Sequence, residues 1–210
     1  MRTISKKSEP SSLGAWKQAN PQGGYNELTS DIPPIIRQSA LEEQYYLCAY
    51  CCQQIPDINS CHNEHVEAQS RNPKRSLDFT NIVASCNTPN QCGRAHKSQD
   101  LPLTPLLPEC EIELRFKISG RVEGLSDRAI NTIHVLNLGD SEKNNRALIE
   151  KRKQLSNALL LTHYGDLSQG LEEDEEILTL LIDELTQPQD GKLKPFAPVV
   201  VNIVRTWTQS

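Results

Sequence analysis

Three features of the sequence predict an α+β fold in which a small stapled unit sits inside a mainly helical chain. Residues 48 to 100 are dense in cysteine, histidine, asparagine and proline and lack long apolar periodicity. Such a segment cannot bury enough apolar surface to hold itself, so metal ligation is the expected staple. Residues 110 to 120, CEIELRFKISG, alternate apolar and polar positions through Ile112, Leu114, Phe116 and Ile118, the period of a strand. From Ser126 onward the apolar residues recur at helical spacing.

The elements follow in order. Residues 1 to 31 are polar, with Gly, Pro, Ser and Asn throughout, and read as irregular: a flexible end or a docking arm, with a helix start completing a first region at 1–40. Asp31 and the two prolines after it open that helix, along which Ile35, Ile36, Ala40, Leu41 and Tyr45 recur at helical spacing. The helix delivers the chain into Cys48. Within the stapled unit, 41–100, short strands are expected at VEAQ (66–69) and NIVASC (81–86), with a turn-rich loop at SRNPKRS (70–76). The third region, 101–210, begins with a proline-rich extended crossover and the alternating strand. SDRAINTIHVLNL (126–138) then puts Ala129, Ile133 and Leu136 on one helical face. Residues 141 to 165 form a long amphipathic helix with Ser141 as N-cap and Gly165 as stop. The acidic run EEDEE (172–176) opens another helix, and it presents either solvated charge or a face for a basic partner. PFAPVVVNIVRTW (195–207) reads as a last helix, with its valines leaving a strand open.

Composition narrows the class. A hydrophobic content of 37% with 23% charged residues suits a soluble globular chain. No run of about 18 apolar residues is present, and the start lacks the apolar core of a secretory signal. Seven cysteines, an odd number, point with that start to a cytoplasmic setting in which thiols stay reduced and clusters bind metal or do chemistry. The net charge of −5 argues against holding nucleic acid by overall charge, so that role requires a local basic patch or a partner.

Cys48 and Cys51 have the two-residue spacing that presents both thiolates to one tetrahedral ion. Cys86 and Cys92, in SCNTPNQC, are the expected second pair, giving a four-cysteine structural zinc site. Cys52 adjoins a ligand position and competes with Cys51. Cys61 and Cys110 are expected to be ordinary buried thiols.

Between the two pairs lie Glu64-His65 and then Asn81, and just past the second pair comes His96-Lys97. A cysteine knuckle with a histidine and an asparagine between its halves and a late histidine after the second half resembles the HNH, or ββα-metal, nuclease motif. The resemblance implies a hairpin and a helix clamping a catalytic Mg²⁺ or Mn²⁺. His65 matches the general base, Glu64 the acidic ligand before it, and Asn81 the asparagine that fixes the loop orienting the histidine. The third position departs from the pattern. Where many members have a histidine directly after the second knuckle cysteine, this chain has Gly93. His96 then stands as the late ligand from a shifted register, or else as a phosphate contact or surface residue. His62 competes with His65; three residues apart on a strand, the two point to opposite faces. His134 and His163 read as structural or surface residues.

MRTISKKSEPSSL, LEEQYYLCAYC, EHVEAQSRNP, LDFTNIVASC, QCGRAHK and INTIHVLNLGDSEKNNRALIEKR, in that order, resemble the PtuB family over roughly residues 1 to 155. These are HNH nuclease components of Septu anti-phage systems, also found beside retrons. The resemblance implies a PtuA-like ABC-type ATPase partner and, in the retron-associated form, a reverse transcriptase and its DNA–RNA product. Arg71, Lys74, Arg75, Arg94 and Lys97 make the segment 65 to 97 basic within an acidic chain, the expected contact to a DNA or tRNA substrate. The competing expectation is a zinc-stapled interaction module of the same complex without catalysis.

Overall fold

The computed structural model describes residues 1–141, 143–164 and 175–208. Among these residues it holds seven α-helices and two antiparallel two-stranded sheets, so the chain is mixed α+β.

Strands β1 (Cys61–His65) and β2 (Ile82–Cys86) pair in a register running from Cys61 opposite Cys86 to His65 opposite Ile82. The first strand thus ends before VEAQ, where the sequence pattern expects one. The Asn81 side chain is the reason. Its Oδ1 accepts from the Glu67 N–H at 2.8 Å and its Nδ2 donates to the Glu67 carbonyl at 2.9 Å. Those backbone groups are therefore committed to a loop and withdrawn from the ladder.

The first 31 residues are folded, contrary to the irregular arm their composition suggests. Helix α1 spans Ser11–Ala19 and α2 spans Ile32–Glu43, with prolines in the first turn of α2, where a missing N–H costs no helical bond. Met1 and Ile4 are buried, and the Ile4 N–H donates to the Pro105 carbonyl. The Lys6 ammonium reaches the Glu43 carboxylate at 2.5 Å and the Ile82 carbonyl at 2.8 Å. Leu13, Ile32 and Ile36 share one apolar cluster with Phe79 and Ile82 of the hairpin. A few apolar side chains carry this packing, too few to raise a compositional signal.

Helix α3 (Gly93–His96) sits on the hairpin through the Gly93 N–H, which donates to Ser85 Oγ at 3.0 Å. Beyond it, only the middle of the alternating segment is strand. β3 (Leu114–Phe116) pairs with β4 (Val122–Gly124); Leu114 and Phe116 are buried while Ile112 and Ile118 are exposed. A 3-10 turn at Pro108–Glu111 rotates Ile112 out of the alternation. Helix α4 (Asp127–Leu136) starts at the Ser126 cap, whose hydroxyl accepts from the Ala129 N–H, and stops at Asn137 in the left-handed region.

Helix α5 (Arg146–Tyr164) begins five residues after the Ser141 cap that the sequence suggests. Asn145 takes over: its Oδ1 accepts from the Leu148 N–H while its Nδ2 donates to Gln91 Oε1 and the Asn137 carbonyl. The expected stop at Gly165 and residues 172–174 of the acidic run lie outside the described residues. Helices α6 (Glu175–Thr186) and α7 (Ala197–Thr208) pack through Leu178, Leu181 and Leu185 against Val200, Val201 and Val204, so the valine run is helical. Arg152 of α5 is fully buried, donates to the Gly120 and Leu138 carbonyls, and lies over the Phe116 ring; burial pushes its guanidinium down to about 10. No described helix is long and apolar enough to cross a membrane.

Because Ile36 is fully buried between the N-terminal region and the hairpin, Ile36→Ala is expected to destabilise the whole fold by about 2–5 kcal/mol in denaturant titration. An unchanged midpoint would mean that the N-terminal region and the hairpin do not share a core.

Candidate metal centre and adjoining cleft

Three stretches of chain bring the expected ligands together. Cys48 and Cys51 occupy the turn after α2, Cys86 ends β2 and Cys92 precedes α3. Their four sulfurs lie within 4.8 Å of one another, and all four residues are buried. This set can hold a metal ion such as zinc. The surroundings favour sulfur that carries charge. The Cys86 N–H points at Cys48 Sγ at 3.4 Å, and Gln91 Nε2 lies 3.5 Å from Cys51 Sγ and 3.8 Å from Cys86 Sγ. Gln91 is itself held by Asn145. Hydrogen bonds from the Cys48, Cys51 and Cys92 thiols hold Cys86 far below the usual thiol range, while burial drives Cys51 and Cys92 well above it. The four sulfurs thus compete for negative charge, a conflict that a divalent cation removes.

The choice between Cys51 and Cys52 falls to Cys51. Cys52 sits at φ +63° with its N–H on the Cys48 carbonyl and its own carbonyl accepting from the Phe196 N–H, and its sulfur is not one of the four that cluster. Cys61 points to the Asp57 and Ile58 carbonyls, and Cys110 lies 3.9 Å from Thr3 Oγ1; burial raises both thiols to about 11.

Beside the cluster, strand alternation sorts the β1 side chains onto two faces. His62 and Glu64 face α3, whereas Asn63 and His65 face the N-terminal region. His96 is fully buried, with Nδ1 2.7 Å from Glu64 Oε1 and Nε2 2.9 Å from the Gln99 carbonyl. That carbonyl only accepts, so Nε2 carries a proton and Nδ1 is the atom that faces the carboxylate. Burial pushes the Glu64 carboxyl up, but hydrogen bonds from His62 and His96 outweigh it and hold the group below the usual carboxylate range.

His65 is the counterpart on the other face. Its Nε2 donates to the Ser76 carbonyl at 2.8 Å, which leaves a lone pair on Nδ1, 3.1 Å from Gln69 Nε2. The Tyr25 ring meets the imidazole edge to face at 4.7 Å, and the Tyr25 hydroxyl accepts from Asn63. Burial pushes the His65 imidazole below its ordinary value, against the opposing pull of the Ser76 carbonyl and Glu64. Asn81, almost fully buried, ties the loop that carries Ser76 by its bonds to Glu67 and a longer one to the Arg75 carbonyl at 3.4 Å. Glu64, His65, Gln69 and Lys97 line one open cleft of about 290 Å³.

No protein-family model and no curated protein matches the chain.

The basic residues divide by environment. Lys97 lines the cleft, and Lys74 lines a larger open groove that shares Gln69 and Ser70 with it. Arg75 is engaged by Glu67 at 3.0 Å and Asp78 at 2.9 Å, bracing the loop. Arg71 lies 3.8 Å from Asp100, and Arg94 donates to Asn87. His134 is exposed beside Asp140; the His163 side chain lies outside the described residues. Sequence reasoning missed Tyr25, Gln69 and Gln91, whose roles depend on segments far apart in the chain and leave no local pattern.

The metal centre is checked by elemental analysis of the purified chain. About one tightly held zinc per chain is expected, lost on Cys48→Ser or Cys92→Ser together with cooperative unfolding. Native folding at full stability without bound metal would contradict it.

Proposed function

We propose that the chain is a metal-dependent HNH-type endonuclease subunit that hydrolyses phosphodiester bonds in DNA or tRNA. Its β1, β2 and α3 would be the ββα unit, stapled by a four-cysteine zinc. The observation that carries the reading is the pairing of a neutral-leaning imidazole in an open cleft with a carboxylate–imidazole pair beside it: His65 on one face of β1, Glu64 with His96 on the other.

The donor set fits a divalent ion. Glu64 Oε1 and His96 Nδ1 are both acceptor atoms when His96 is neutral, and at 2.7 Å they need a cation or a proton between them. Glu64 and His96 would hold Mg²⁺ or Mn²⁺, with the Gln99 carbonyl fixing the His96 tautomer. When bound, the ion supplies charge neutralisation for the phosphoryl and leaving oxygens.

The chain's own groups supply the rest. His65 Nδ1 takes the proton of the attacking water, since burial keeps the ring neutral near pH 7 and the Ser76 carbonyl fixes its orientation. Asn81 keeps the Ser76-bearing loop in place, which makes it a positioning residue. Lys97 stands at the cleft to meet a phosphate, and Lys74 extends the positive wall into the adjoining groove.

The order of sequence blocks that resembles the PtuB family supports a role in anti-phage defence beside a PtuA-like ABC-type ATPase, with a retron reverse transcriptase and its DNA–RNA product as further neighbours in the retron form. The acidic net charge of −5 agrees with a module that grips substrate locally and relies on a partner for the remainder.

The test is co-expression with a PtuA-like ATPase, followed by Mg²⁺- and Mn²⁺-dependent cleavage of plasmid DNA and total tRNA. His65→Ala is expected to lower cleavage by about 10²–10⁴-fold. Equal cleavage by both proteins would overturn the base assignment and favour a zinc-stapled interaction module. Cleavage of tRNA alone would assign an RNA substrate.

A further inference from the structure

His62 lies beside Glu64, with Nε2 3.3 Å from Oε2, the carboxylate oxygen that His96 does not engage. Its Nδ1 lies 3.1 Å from Asn87 Oδ1. The Asn87 amide cannot be turned the other way without loss: its Nδ2 donates to the Asn59 carbonyl at 3.1 Å, and its Oδ1 accepts from Arg94 at 3.3 Å. His62 therefore has an oxygen acceptor facing each ring nitrogen, with Nε2 turned to the carboxylate. The chain of contacts runs from the Asn59 carbonyl through Asn87, His62, Glu64 and His96 to the Gln99 carbonyl, with a backbone oxygen anchoring each end.

Gly93 shows how closely this cluster is fitted. A Cβ at that position would lie 2.6 Å from His62 Nε2 and 2.5 Å from Glu64 Oε2. The space above the start of α3, which a side chain at residue 93 would otherwise fill, is taken by the Glu64 carboxylate and the His62 imidazole of β1. The glycine and the histidine are complementary: one vacates the volume that the other uses.

We propose that His62 is a positioning residue for Glu64, donating to Oε2 so that Oε1 alone is presented beside His96. A carboxylate held in this way offers a divalent ion one oxygen and leaves its remaining positions for water and a phosphate oxygen. Arg94 acts one step further out, by fixing Asn87. The proposal rests on the Glu64–His96 reading of the metal site.

Mn²⁺ titration calorimetry on the zinc-loaded full chain tests it, with melting curves recorded on every variant. His62→Ala is expected to weaken Mn²⁺ by about 10–100-fold, the usual cost of removing an outer partner of a ligand. His62→Gln, whose Nε2 can reproduce the donor to Oε2, is expected to restore most of that loss. Asn87→Ala, a change at an exposed residue that spares the fold, is expected to weaken Mn²⁺ in the same direction and to a smaller extent. Native affinity in His62→Ala or Asn87→Ala overturns the proposal, as does a His62→Gln protein as weak as His62→Ala. Loss of Mn²⁺ in Glu64→Gln with native affinity in His62→Ala would overturn the role of His62 alone. A native protein that binds no Mn²⁺ would overturn the Glu64–His96 site and this proposal together.

Discussion

Four buried sulfurs drawn from three separate stretches of chain fix the geometry on which everything else depends. A metal ion held by Cys48, Cys51, Cys86 and Cys92 would join the turn after α2 to the end of β2 and the start of α3. Neither the five-residue strands nor the four-residue helix has the length to be stable by itself. Joining their ends at one point sets the distance between β1 and α3, and that distance puts Glu64 against His96. The Gln91 amide and the Cys86 N–H direct polar hydrogen at the sulfurs, and Asn145 carries the influence of α5 into the same place. The later helices thus take part in the staple, beyond their own packing.

A second constraint acts on the other face of the hairpin. The loop between β1 and β2 has little apolar content, so its shape comes from hydrogen bonds. Asn81 ties it at Glu67 and Arg75, and Arg75 is clamped in turn by Glu67 and Asp78. The reward for ordering this loop is a single carbonyl, that of Ser76, aimed at His65. The N-terminal region closes the same face, with Tyr25 against the imidazole. The two faces of one short strand therefore carry different chemistry: a histidine kept neutral by burial on one, an anionic carboxylate kept ionised by two histidines on the other.

The parts of this arrangement that were legible in the sequence are those set by local spacing. The two cysteine pairs, the β2 strand, α2, α4 and α7 follow from short patterns of residue type. Cys51 and Cys52 both fit a knuckle by spacing; only the folded position of the Cys51 sulfur, among the other three, separates them. The start of α5 was misplaced because Asn145 serves Gln91 and Asn137 as well as its own helix, a demand arising elsewhere in the chain. The fit of His62 over Gly93 was equally invisible, since those residues are 31 positions apart and meet only once the hairpin and α3 are docked. The N-terminal region looked irregular because Met1, Ile4 and Leu13 are isolated among polar residues, and their burial depends on the hairpin and α2 being present.

The central claim is that the staple assembles Glu64 and His96 into one divalent-ion site beside His65. Paramagnetic broadening of backbone amide signals by substoichiometric Mn²⁺, recorded on the zinc-loaded protein, tests it most directly. The account predicts that the amides of residues 62–65 and 93–97 broaden first, while those of α6 and α7 stay sharp. Broadening centred on the acidic start of α6, or spread evenly over the surface carboxylates, would contradict it.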